Sequence, residues 1–171
     1  MGRWRGRRFA GLAAVLLFAA GLTASAAAAA RDGDARWIVA RDAAGVELAR
    51  ERLPATNEFV LRYRNSVYDS VAEERYRVAD GHLELVALAA DELAVLEEYS
   101  SAFGAIRDAP DSRLTWSVAV ERPAIALPLR VQATALGERT LLVDGRELAL
   151  WRLVTGRDDT LVILTVEARR R

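Results

Sequence analysis

Beyond its first thirty positions the chain reads as short runs in which apolar and polar residues alternate, separated by clusters of turn-forming residues. Such a period of two predicts strands with one face buried. Arg36–Arg41 (RWIVAR) and Val46–Leu53 predict a first hairpin around Ala43–Gly45, ended by Pro54, because proline cannot donate to a ladder. In Glu58–Ser66, Phe59, Leu61, Tyr63 and Asn65 share one face while Arg62 and Arg64 take the other. Val71–Val78 repeats this with Ala72, Glu74, Tyr76 and Val78 inward, and Glu73, Arg75 and Arg77 outward. Asp80-Gly81 signals a type I′ hairpin into His82–Ala89, with Leu83, Leu85 and Ala87 inward.

Asp91–Tyr99 is ambiguous: Asp91 suits the cap of a short helix, whereas Val95 and Tyr99 also suit a strand. Ser100–Ser112 is a long turn-rich stretch of the kind that often carries function. Leu114–Val120 is a strand, Pro123 and Pro128 bracket a kinked connection, and Leu129–Ala135 points Leu129, Val131, Ala133 and Ala135 inward. Thr140–Val143 and Glu147–Val154 flank Asp144-Gly145, a second type I′ signal. Thr160–Ala168 is almost continuously apolar, as expected of a central strand covered on both faces. Together these predict an all-β fold, an antiparallel β-sandwich or partly closed barrel of about ten short strands with at most one short helix.

Residues 1–30 follow another pattern. A cationic MGRWRGRR, an apolar stretch of fourteen residues (FAGLAAVLLFAAGL) and a small-residue TASAAAAA make a signal peptide, with the mature chain starting near Arg31. An uncleaved anchor is the alternative, since Ala24–Ala30 extends the apolar stretch toward a spanning length. Arg7-Arg8 leaves Sec and twin-arginine export both open. The expectation is an exported, periplasmic or extracytoplasmic protein: a leader at 1–30 and a single all-β domain at 31–171.

Charge sharpens this picture. All 24 basic residues are arginine, four of them in the first eight positions, so the mature chain holds 20 arginines against 24 acids, a net charge of −4. A mildly acidic surface argues against a nucleic-acid partner, which needs basic groups to displace counterions. No cysteine is present, which removes disulfides, thiolate nucleophiles and Cys-based metal sites.

Candidate chemistry gathers in Glu58–Val78, where Asn65 and Glu74 are polar residues on otherwise apolar faces. A carboxylate on an inward strand face needs hydrogen-bond partners, and Asn65, Ser66 or a nearby arginine are the candidates. The arrangement reads either as a ligand contact at a hairpin mouth or as a structural network fixing the hairpin. Tyr63, Tyr68, Tyr76, Tyr99 and Phe103 surround it in sequence, as pocket lining or as core. Ser66 is a nucleophile only with a base beside it, and His82 is the sole histidine. Glu73 and Glu74 are adjacent on a strand and point to opposite faces, which excludes them as a glycosidase acid–base pair. Asp108 with Asp111, and Asp158 with Asp159, lack a calcium-loop pattern, and one histidine without cysteine makes no zinc site. Neither a metal nor a cofactor is expected.

Arg64–Tyr76 (RNSVYDSVAEERY) resembles a motif of a family of small exported bacterial proteins of unknown function. Ser66, Val67, Glu74 and Tyr76 fall on matching positions, while Asn65 stands where the family has histidine and Val71 where it has proline. Phe103-Gly104-Ala105 resembles the family's Phe-Gly-Ala-Gly turn, with Ile106 in place of the second glycine. Members are commonly encoded beside TRAP transporters with TAXI-type solute-binding proteins. The resemblance implies a non-enzymatic accessory or binding module for solute uptake, with transporter subunits or a solute-binding protein as partners. Its implied binding residues are Asn65, Ser66, Glu74, Tyr76, Phe103 and Gly104. The alternatives are a hydrolase using Ser66 or Glu74, and a purely structural envelope protein.

Overall fold

The computed structural model describes residues 35–100, 105–108, 114–120 and 123–168. The leader, the Arg169–Arg171 tail, and Phe103 and Gly104 lie outside the described residues, as do the side chains of Tyr99 and Ser100.

Twelve strands and two short helices follow one another among the described residues. The strands are β1 (Arg36–Asp42), β2 (Glu47–Arg52), β3 (Glu58–Asn65), β4 (Ser70–Ala79), β5 (His82–Ala90) and β6 (Arg107–Asp108). After them come β7 (Trp116–Ala119), β8 (Ile125–Ala126), β9 (Leu129–Gln132), β10 (Thr140–Val143), β11 (Arg146–Ala149) and β12 (Leu161–Ala168). Helix α1 (Leu93–Ser100) follows β5, and α2 (Leu150–Leu153) follows β11.

Every pairing is antiparallel, in two sheets that do not close into a barrel. The smaller sheet runs β2-β1-β12-β9; the larger runs β11-β10-β3-β4-β5-β7-β6, with β8 also on β5. Inner-face residues of both sheets form one buried cluster: Ile38, Val162 and Leu164 from the smaller, Phe59, Leu61 and Leu141 from the larger. The fold is a β-sandwich, the first of the two all-β alternatives.

The turns behave as their residues demand. Asp80 and Gly81 have φ of 43° and 82°, and Asp144 and Gly145 have 48° and 77°, the double positive φ of a type I′ turn. Four expectations change. Leu88, not Ala87, is buried on β5, because Arg75 faces Ala87 while Tyr76 faces Leu85. Val86 is therefore the extra residue of a β-bulge, and it reverses the alternation. Ala135 is exposed because the chain already turns there. Glu147–Val154 is strand only to Ala149 and then becomes α2. Thr160–Ala168 does lie inside its sheet, but only Val162 and Leu164 are fully buried. Its other face carries Thr165 and Glu167, which accept from Arg41 at 2.7 Å each. The ambiguous Asp91–Tyr99 resolves as helix: Val95 and Leu96 are buried where α1 packs on β5 and β7.

Connectivity gives the sandwich two unlike ends. Arg36 pairs with Ala168, so both ends of the described domain emerge together, beside the Asp80-Gly81 and Asp144-Gly145 turns. The β1–β2 turn, the β3–β4 loop, the β9–β10 turn and α2 gather at the other end.

Candidate functional site

The β3–β4 loop is built by its own polar side chains. Asn65 Oδ1 accepts from the Val67 and Tyr68 amides at 2.9 and 3.2 Å, an Asx turn that closes the loop. Arg64 Nε donates to Asp69 Oδ1 at 2.6 Å, and this bond holds the Asp69 carboxyl below the ordinary aspartate range. Tyr68 Oη donates to Glu98 of α1 at 2.7 Å, which ties the loop to the helix and raises the phenol's pKa. The Arg64 amide donates to the Gly137 carbonyl at 2.9 Å, joining the loop to the β9–β10 turn.

Glu74 is an inner-face carboxylate, as its alternation requires. Its ladder neighbours are Leu61 and Leu88, both buried, and its own side chain is 18% exposed. Tyr76 Oη donates to Glu74 Oε2 at 2.9 Å, and Arg139 Nη1 stands 3.7 Å from the same oxygen. The Arg139 guanidinium lies 4.0 Å from the Tyr63 ring centroid, and Tyr76 stacks on Phe59 with centroids 5.3 Å apart. Burial, then the neighbouring Glu74 charge and its hydrogen bond, push the Tyr76 phenol well above 10.0. This is a cation, an anion and two phenols packed into the edge of an apolar core.

On the outer face of the same strands Arg62 Nε donates to Glu73 at 3.0 Å and its Nη1 to Glu147 at 3.2 Å, linking β4 to β11 across β3 and β10. Burial opposes the Arg62 charge, but the two carboxylates outweigh it and keep its pKa above the ordinary arginine value. Arg62 and Glu147 border two open cavities of about 460 Å³ each. The one toward the loop end is lined by Arg64, Ser70, Val71, Glu138, Trp151 and Arg152 among others. Ser70 Oγ is buried there with no hydrogen-bond partner among the described residues. The other cavity lies along Glu58, Arg75, Leu142 and Asp144, toward the turn end.

The structure does not gather the predicted residues into one cluster. Asn65 is spent on the loop, Ser66 is exposed at its tip, and Glu74 faces Leu61. Four residues of strand, roughly 13 Å, separate Leu61 from Asn65. Glu74 is met by Tyr76 and Arg139 rather than by Asn65 or Ser66. Tyr63 and Tyr76 are buried core residues, and Tyr68 is half-buried in the loop. Phe103 and Gly104 lie outside the described residues. His82 starts β5 opposite Ala79, at the far end of β4 from Ser66, so roughly 30 Å of strand separates serine from histidine and no dyad forms. Among the described residues no three His, Asp or Glu side chains cluster as metal ligands, and no helix is long and apolar enough to cross a membrane.

Arg139, Glu138, Trp151 and Arg152 escape the sequence reading as site residues. For Arg139 a signal exists: extending the alternation of Leu141 and Val143 back by one step puts it on the inner face. For the others the turn and α2 that present them have no local signature. Comparison of the chain with protein-family models, curated proteins and solved structures found no match.

Proposed function

We propose that the protein is an exported, non-enzymatic binding module, accessory to solute uptake through a TRAP-type transporter. The single observation that carries this reading is the open cavity of about 460 Å³ on the outer face of β3 and β10. Its size falls in the range of small-ligand sites, and an indole, hydroxyls and charges of both signs line it. It sits at the end of the sandwich away from the domain's termini, beside the hairpin on which the family resemblance rests. Two large apolar side chains stand exposed on neighbouring segments there, Val67 in the β3–β4 loop at 74% and Leu136 in the β9–β10 turn at 70%. These suit a protein partner that meets the loop end.

The test is a cross-linked affinity pull-down of the tagged, natively exported protein from its own membrane fraction, with components identified by mass. A transporter membrane subunit or solute-binding protein should be recovered, and Val67→Asp with Leu136→Asp should weaken its recovery. Recovery of the protein alone would sink the transporter link.

A further inference from the structure

The three arginines and three acids that line the loop-end cavity are not all paired with one another. Arg62 is held by Glu73 and Glu147, and Arg64 is held by Asp69. Two charged lining residues are left over. Arg152 makes no ion pair among the described residues; its guanidinium lies 4.8 Å from the Trp151 ring centroid. Glu138 likewise has no ion pair among the described residues, and feels Arg64 only at longer range. The wall therefore presents one uncommitted cation and one uncommitted anion, with Trp151, Val71 and Ala149 as apolar surface.

The backbone at Glu138 points the same way. Its φ is +46°, in the left-handed region that glycine or asparagine occupies with least strain. Glutamate has no backbone reason to stand there, and strained residues of this kind concentrate at ligand sites. A purely anionic ligand would satisfy Arg152 but bring a second negative charge to Glu138. A purely cationic ligand would do the reverse at Arg152.

We infer that this cavity binds a small zwitterion of the α-amino-acid class, with its carboxylate on Arg152 and its ammonium on Glu138. The apolar part of the ligand lies against Trp151 and Val71. The inference rests on the binding-module reading and adds the ligand's chemistry to it.

Calorimetry on the purified exported protein tests this with three matched probes: leucine, 4-methylpentanoate, which lacks the ammonium, and 3-methylbutylamine, which lacks the carboxylate. Glycine, phenylalanine and glutamate extend the zwitterion set. Leucine or another of the amino acids should bind, and its deaminated and decarboxylated counterparts should each bind about tenfold or more weakly. Glu138→Gln and Arg152→Gln should each cost a similar factor, while Arg130→Gln, on the exposed face of β9, should cost nothing. Should either glutamine variant fold poorly, Glu138→Asp and Arg152→Lys keep the charge and should retain part of the binding.

Equal binding of the carboxylate or the amine, indifference to Glu138→Gln, or no binding of any amino acid at millimolar concentration would each overturn the zwitterion. The pull-down separates the two claims. A recovered transporter subunit without amino-acid binding leaves the accessory role standing and removes this ligand class; amino-acid binding without a recovered subunit does the opposite.

Discussion

At the scale of single residues, the Glu74–Arg139 pair is the most consequential feature of the interior. A carboxylate between Leu61 and Leu88 loses hydration, which Tyr76 and Arg139 replace with a hydrogen bond and a charge. Removing one partner strands the other, so Glu74→Ala should destabilise the protein by about 1–3 kcal/mol in urea unfolding. Replacing both, as Glu74→Leu with Arg139→Met, should be close to neutral, because apolar residues of similar size avoid the desolvation penalty. A double variant as unstable as Glu74→Ala would show that the pair contributes net stability. Tyr76 adds a pH dependence. Its phenol titrates higher in the folded protein than the ordinary 10.0, so its contribution is intact below pH 10 and is lost as pH rises toward the folded value. The melting temperature should therefore decline above pH 10, and less so in Tyr76→Phe. At the acid end the sign reverses. Arg50 and Arg41 hold the Glu47 and Glu167 carboxyls below 4.5, so their contribution is present above that value and is lost as pH falls below it.

At the scale of elements, loops carry the burden of precision. Within the β3–β4 loop, Asn65 alone accepts from two successive amides. Asn65→Ala should cost about 1 kcal/mol by denaturant titration, with the β3–β4 loop amides exchanging faster. In the Asp80-Gly81 turn, φ of +82° at Gly81 makes Gly81→Ala unfavourable by about 1 kcal/mol although the space beside it is open. A variant as stable as the parent would mean that the turn relaxes to another type. The β1–β2 turn is pinned otherwise: Asp42 is buried and accepts from the Val46 amide at 2.9 Å and from Arg157 Nη1 at 2.6 Å. That bond fastens the segment after α2 to the end of β1.

At the scale of the whole molecule, the two ends of the sandwich are built differently. Tight Asp-Gly turns and the domain's termini occupy one end. The β3–β4 loop, the β9–β10 turn, α1 and α2 occupy the other, and the loop, the turn and α2 line the cavity with side chains from distant parts of the sequence. Binding surfaces on loops held by a rigid sheet are a common arrangement, because the sheet fixes the loop bases while the tips vary freely. It follows that a tag or fusion after Arg171 should leave both partner recovery and zwitterion binding unchanged, whereas substitutions in 65–69 or 135–139 should alter one of them. A fusion that abolishes either would place the working surface at the wrong end.

By itself the sequence determined most of the longer strands, the inward faces of β3 and β4, and both Asp-Gly turns, but not the bulge in β5, the short β6 and β8, or α2. The features it determined follow from period-two alternation and from φ preferences, which are local properties of a chain. It also determined that Glu74 faces inward. What it left open was everything that depends on which strands become neighbours. The partner of Glu74 is Arg139, sixty-five positions away, and only the pairing of β3 with β10 brings Arg139 against Tyr63. The cavity likewise exists only because β10 and β11 join β3 and carry α2 with them. Sandwich rather than barrel was decided there too, since closure depends on strand order, and alternation is the same in either.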